Sequence, residues 1–233
     1  MEHTFKQFDI ELENLRNRVL QMGGLVEQQV RRATEALYSG DAKALQSVVA
    51  DDARVNALEL EIEEACIQLI AKRQPTAVDL RMIVTVQKIV GDLERIGDKA
   101  QKIARLSLGL HDHAGGPLPA IELRPYADTA VTMVTRSLDA FARLDLKAAG
   151  EVIHKDEIVN NRFAGIMREI VTYMMEDPRT ISRSLDVIFM AKAIERIGDH
   201  ARNIAEYVVY MVKGQTVRHF PIEQIDAEIA KGG

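Results

Sequence analysis

The chain has 233 residues, 47% of them hydrophobic and 28% charged, with a formal net charge of −5. That length and apolar content suit one large domain or two of ordinary size, each with a real core. The negative charge excludes general affinity for nucleic acid, which needs a basic footprint. The single cysteine, Cys66, excludes an internal disulfide and fits a reducing compartment. The amino-terminal stretch carries Glu2, Asp9 and Glu11 without an apolar run, which argues against a secretory signal. The longest apolar run, Tyr207 to Val212, is far too short to span a bilayer. These features together predict a soluble cytoplasmic protein.

Apolar residues recur every three to four positions throughout, which predicts an all-α fold. The first helix places Phe8, Leu12, Leu15, Val19, Met22, Val26, Val30, Ala33 and Leu37 on one stripe. Gly40 then ends it and Asp41 caps the next. The second helix turns Leu45, Val48, Val55, Leu58, Ile62 and Leu69 inward. Pro75 breaks it, and Thr76 with Asp79 resembles a capping box. A third helix runs to about Leu110. The stretch 111–119, with Gly115, Gly116, Pro117 and Pro119, reads as a linker.

Beyond the linker the plan repeats. Leu37, Asp41, Asp52, Val55, Asn56 and Ile62 recur 104 residues later as Phe141, Asp145, Asp156, Val159, Asn160 and Ile166. Glu94 and Asp98 recur 101 residues later as Glu195 and Asp199, each pair inside a nearly identical frame ending Glu-Arg-Ile-Gly-Asp. The expected architecture is six long helices in two pseudo-symmetric three-helix bundles. The expected divisions are 1–113, 117–213, and a loosely attached tail over 214–233.

The acid pairs carry the functional signal. A spacing of four stacks both carboxylates on one helix face, where like charges repel. Asp52 and Asp156 sit at the core period of their own helices, and an apolar stripe tolerates a carboxylate only when it is paired or metal-bound. If the second and third helices of each unit face each other, eight side chains form two clusters: Asp52, Asn56, Glu94 and Asp98, then Asp156, Asn160, Glu195 and Asp199. All-oxygen donors suit hard cations such as Mg²⁺, Mn²⁺, Ca²⁺ or iron. Gly97 and Gly198, one residue before the second acid, accept about 1 kcal/mol of lost helix propensity, for close approach of either a neighbouring helix or an ion. The plainer alternative is a solvated acid face, with Asp52 paired to an arginine such as Arg81. Lys88, Asp92, Arg95, Lys99 and Lys102 cluster on another face of the third helix, which argues against Arg95 as the neutralising partner.

Weaker signals point elsewhere. Glu151 and His154 have the Glu-x-x-His spacing of di-iron bundles, but such a site needs the motif twice, and both point away from Asp156. His111 and His113 read as exposed linker residues, and Cys66 as a buried, inert thiol. Met174, Met175 and Met190 read as core. No nucleophilic triad or phosphate-binding glycine loop is discernible.

The two acid motifs resemble the PhoU family of bacterial phosphate-signalling regulators. So do Tyr173-Met174-Met175-Glu176-Asp177-Pro178 and the segment from Gln74-Pro75 through Asp79-Leu80-Arg81. The resemblance runs from the first helix to about Gly214. It implies a non-enzymatic protein, a negative regulator of the phosphate regulon and of phosphate uptake. Its implied partners are the ATPase subunit of the high-affinity phosphate ABC transporter and a sensor histidine kinase, with peripheral membrane association through them. It also implies a homodimer, and multinuclear metal clusters mapping to Glu94, Asp98, Glu195 and Asp199, joined by Asp52 and Asp156. Two departures stand out. Family versions often carry aspartate where this chain has Asn56 and Asn160, and Arg81 is matched by Ser182. The alternative from another class is a carboxylate-rich bundle metalloenzyme with oxidase or phosphoryl-transfer activity.

Overall fold

The computed structural model describes residues 2–112 and 121–231, and among them there is no strand. Six long helices follow one another: α1 (Glu2–Ser39), α2 (Ala42–Arg73), α3 (Ala77–Asp112), α4 (Arg124–Arg143), α5 (Leu146–Glu176) and α6 (Ile181–Lys213). One 3₁₀ turn, Pro178–Thr180, joins α5 to α6, and a short α7 (Ile222–Ala230) closes the chain. The linker residue His113 lies outside the described residues, as does the side chain of His111.

Each half is a three-helix unit. α1, α2 and α3 pack mutually, and so do α4, α5 and α6. The stripe predicted for α1 is the one buried, from Leu12 through Val19, Val26 and Val30 to Ala33. The turns between the first two helices of each half are built alike. Asp41 accepts from the backbone N–H groups of Lys43 and Ala44, and Asp145 from those of Lys147 and Ala148. The residue before each cap is left-handed. It is Gly40 in the first half (φ 68) and Leu144 in the second (φ 52).

The two halves meet mainly along α3 and α6. These helices run antiparallel: Lys88 lies over the rings of Tyr207 and Tyr210, Asp92 meets His200 and Asn203, and Lys102 lies over Phe189. The charged face read on the third helix is therefore largely an inter-half seam. Asp92 is buried there, accepting from His200 Nδ1 at 2.6 Å and Asn203 Nδ2 at 3.1 Å. Along a second seam Arg16 of α1 donates to the Ala142 carbonyl in α4.

Two expectations need correction. The tail is docked rather than loose: Val217 and Ile225 are buried, and His154 Nε2 on α5 meets Asp226 Oδ1 on α7 at 2.9 Å. A short amphipathic helix after Pro221 was hidden by the polar average of the segment. Met175 is exposed, although Met190 is buried and Met174 half-buried. Adjacent helical residues diverge by about 100°, so one of two consecutive methionines is readily turned outward.

Candidate functional site

The acid motifs lie where α3 and α6 face α2 and α5. In the first half, Asp52 is buried with one oxygen, Oδ2, accepting from Gln101 Nε2 at 2.8 Å. Its other oxygen, Oδ1, is buried without a hydrogen-bond partner. Burial raises the proton affinity of Asp52, and the neighbouring Asp98 carboxylate raises it further. Glu94 is raised by burial, then by Asp98, with Asp52 adding to it. Three of the four expected residues thus share one field. Asn56 is exposed, and its side chain lies beside Asp52, easing the charge on that carboxylate.

Two members of this neighbourhood were missed by the sequence reading. Glu59, one helical turn after Asn56, is raised first by burial and then by Glu94, with Glu63 and Asp98 contributing. Gln29 of α1 is only 2% exposed, yet both its amide nitrogen and oxygen lack a hydrogen-bond partner. A Cβ added at Gly97 would lie 3.2 Å from Gln29 Oε1 and 3.9 Å from Asp52 Oδ1. The glycine therefore admits a polar side chain from each of two neighbouring helices. A polar residue within the apolar run Met22, Val26, Val30 was the available signal for Gln29.

In the second half the same positions hold different chemistry. Asp156 is 2% exposed and its Oδ2 accepts from Arg202 Nη1 at 2.9 Å and from Asn160 Nδ2 at 3.1 Å. Arg202 also donates from Nε to Glu206 at 2.9 Å. Burial opposes the charge of Arg202, but its bonds to Asp156 and Glu206 outweigh that and raise its pKa. Glu195 contacts Lys192, and Asp199 is 3.0 Å from Arg196. Burial, then Asp156 and Glu195, raise Asp199.

The divergence follows the repeat position by position. Arg202 stands where the first half has Gln101, Met133 where it has Gln29, and Phe163 where it has Glu59. A Cβ at Gly198 would lie 3.2 Å from Val159 and 3.6 Å from the Met133 sulfur, so this glycine serves apolar helix packing. The second cluster carries its own cations. In the first, among the described residues, the one ion pair is with Arg95, whose exposed guanidinium reaches back to 3.5 Å from Glu94, while Lys99 and Arg105 act on Glu94 and Asp52 only through space. That pairing differs from the expected separation of Arg95 from the acids. A long arginine stem can lie along its helix surface, and so exposed a pair contributes little. Arg81 takes no part, because its guanidinium packs against Gly214.

No group of three or more carboxylate, histidine or cysteine side chains among the described residues is arranged, as those side chains lie, to hold a metal ion. The donor chemistry nonetheless discriminates between the halves. An unpartnered carboxylate oxygen occurs in both halves, on Asp52 and on Asp156, but only in the first do the Gln29 oxygen and the Glu59 carboxylate stand beside it with Glu94 and Asp98, a donor set that fits a hard cation. A guanidinium, a thioether and an aromatic ring at the matching positions do not. Glu151 and His154 are not part of either cluster; His154 holds α7. Cys66 is fully buried, which pushes its thiol up to about 12, away from reactivity.

Fold and site together define a duplicated helical-bundle protein with one carboxylate cluster per repeat. The PhoU domain model matches it twice, over residues 19–107 and 123–208. The phosphate-specific transport system accessory protein PhoU homolog of Pseudomonas putida is 46% identical over 227 residues, covering 97% of this chain and 89% of that one. The accessory protein PhoU of Escherichia coli K12 is 42% identical over 229 residues, covering 98% and 95%. A crystal structure of PhoU from Pseudomonas aeruginosa superposes with a TM-score of 0.86 at 47% identity, covering 89% of this chain and all of that one. The phosphate transport system regulatory protein PhoU from Streptococcus pneumoniae gives 0.82 at 28% identity, covering 90% and 99%. The chain belongs to the PhoU family. Among the described residues no helix is long and apolar enough to cross a membrane.

Proposed function

We propose that the protein is an accessory regulator of phosphate-specific transport, working in the cytoplasm as a non-enzymatic adaptor. In this reading it contacts the ATPase of the phosphate ABC transporter and a sensor histidine kinase, and holds the kinase inactive when phosphate is plentiful. It reaches the membrane through these partners and acts as a homodimer. The observation that carries the reading is near-full-length identity above 40% to proteins named as phosphate-transport accessory proteins, with both domain copies present. Deleting the gene should switch on a phosphate-starvation reporter in phosphate-rich medium, and restoring it should switch the reporter off. Normal repression in the deletion strain would overturn the proposal.

The same reading assigns a hard divalent or ferric ion, such as Mg²⁺, Mn²⁺ or iron, to the first cluster. Asp52, Glu94 and Asp98 would hold it, with Glu59 and the Gln29 oxygen beside them. Such an ion supplies positive charge where carboxylates otherwise repel, and turns an acidic patch into a docking point for an anionic partner. Glu195, Asp199 and Asp156 are offset within the chain by Lys192, Arg196 and Arg202 instead. Metal analysis of protein purified without chelator, alongside capture of the transporter ATPase, tests both parts together.

A further inference from the structure

Where α6 ends, a polar cleft of about 320 Å³ opens between α3, the last turns of α6 and the loop that follows. Lys88, Glu206, Tyr207, Tyr210, Thr216 and Arg218 line it. It adjoins the second acid cluster only through Glu206, which Arg202 joins to Asp156, and no step of the proposed function uses it.

The cleft is built, not incidental. Gly214 ends α6 in a left-handed conformation (φ 76), and the Arg81 guanidinium packs against it. Val217 then buries itself in the core, and the Phe220 N–H closes a turn onto its carbonyl at 2.9 Å. This anchors the loop between the two lining residues it contributes, Thr216 and Arg218. Lys88 is held over both tyrosine rings, at 5.6 and 5.7 Å from their centres. That contact orients the ammonium without neutralising it.

The charge balance favours an anion. Among the described residues neither Lys88 nor Arg218 takes part in an ion pair. Glu206 is the one carboxylate in the lining, and it is 5% exposed and held by Arg202 at 2.9 Å. The carboxyl end of α6 adds roughly half a negative charge. Lys88 and Arg218 set two positive charges against that helix end and a Glu206 carboxylate whose partner, Arg202, is shared with Asp156. Thr216 and Tyr210 bring hydroxyl donors. Tyr207 brings its ring, over which Lys88 lies.

We propose that this cleft binds a phosphate-bearing anion, with Lys88 and Arg218 as the charged clamp and Thr216 and Tyr210 as hydroxyl donors. Charge-assisted bonds from a lysine and an arginine are the usual means of holding a phosphoryl group. The volume is at the small end of small-molecule sites, and admits either free inorganic phosphate or the phosphoryl group of a small ester. The proposal is independent of the regulatory reading, since binding is measured on the purified chain.

Isothermal titration of the full chain with inorganic phosphate and with adenosine monophosphate, at ionic strength held with chloride, tests it. One saturable site per chain is expected. Lys88→Gln and Arg218→Gln should each raise its Kd about tenfold or more, the value of one charged hydrogen bond. Lys147→Gln, an exposed change elsewhere, should leave it unchanged. Saturation by phosphate identifies the free ion as the source, and saturation by the nucleotide alone identifies a phosphoryl ester. Failure of both to saturate, or binding indifferent to both substitutions, overturns the proposal. All three variants replace exposed side chains, and matching thermal melts check that each is folded.

Discussion

Replacing Asp52 and Asp156 separately by asparagine should shift stability in opposite directions, although the two occupy the same place in the repeat. Asp52 has a neutral partner, Gln101, and Asp98 beside it; burial and that neighbour both raise its proton affinity. Asparagine keeps an oxygen for Gln101 and removes the disfavoured charge, so in metal-free protein Asp52→Asn should stabilise by on the order of 1 kcal/mol. Asp156→Asn removes the carboxylate that accepts from Arg202 at 2.9 Å. A charged hydrogen bond contributes about 1.5–3 kcal/mol. Arg202 keeps Glu206 and is partly exposed, and relief of repulsion on Asp199 returns a little. The net expected loss is about 2 kcal/mol. Urea unfolding at neutral pH with a chelator present gives both values from midpoint and slope. Shifts of the same sign and similar size would refute the claim that the two clusters are electrically different.

Other consequences are as direct. Asp52, Glu59, Glu94, Asp199 and Glu206 all bind protons more tightly than ordinary carboxylates, in each case chiefly through burial. Between the ordinary carboxylate pKa of about 4 and the higher folded value, the folded state holds more protons, so stability is greatest below that window and falls as pH rises through it. Thermal melts of metal-free protein should show this decline above pH 4 or so, and Mn²⁺ should reverse the share owed to Asp52, Glu59 and Glu94; a rise across the window would contradict the assignment. Leu144→Gly places glycine at a left-handed position that the first half already fills with Gly40, and the leucine it removes is 41% exposed. Relief of about 1–2 kcal/mol of backbone strain, less the extra freedom of the unfolded chain, should leave a gain of roughly 0.5–1 kcal/mol in chemical denaturation. Ile225→Ala should free α7 from α5 at a cost of about 2–4 kcal/mol locally, seen as faster hydrogen exchange across 222–230 with little change in α3.

Much of the fold is legible before any coordinates, because the repeated positions are those under the strictest physical demand. Asp41 and Asp145 recur because a helix start needs an acceptor for its free N–H groups. Val55 and Val159, and Ile62 and Ile166, recur because each fills the same buried face. The acid pairs are legible for the opposite reason, as charges set against an apolar frame. What escapes is what long-range packing decides. Gln29 lies beside the apolar stripe of α1 among many polar residues, and its place in the site shows only in its distance to Gly97. Arg202 lies three residues beyond the second acid motif, but its role depends on which helix faces it. The seam between α3 and α6 turns a face that reads as charged surface into an interface holding Asp92 and His200. The tail reads as polar and broken, yet two buried side chains suffice to dock it.

The central claim is that duplication has left one cluster open to a hard cation and the other closed by its own arginine. Mn²⁺ titration of metal-free protein, followed by calorimetry, addresses it most directly. The account predicts saturable binding that is lost in the Glu94→Gln, Asp98→Asn double variant and retained in the Glu195→Gln, Asp199→Asn double variant. Equal loss in both variants, or no binding by the parent protein, would contradict it.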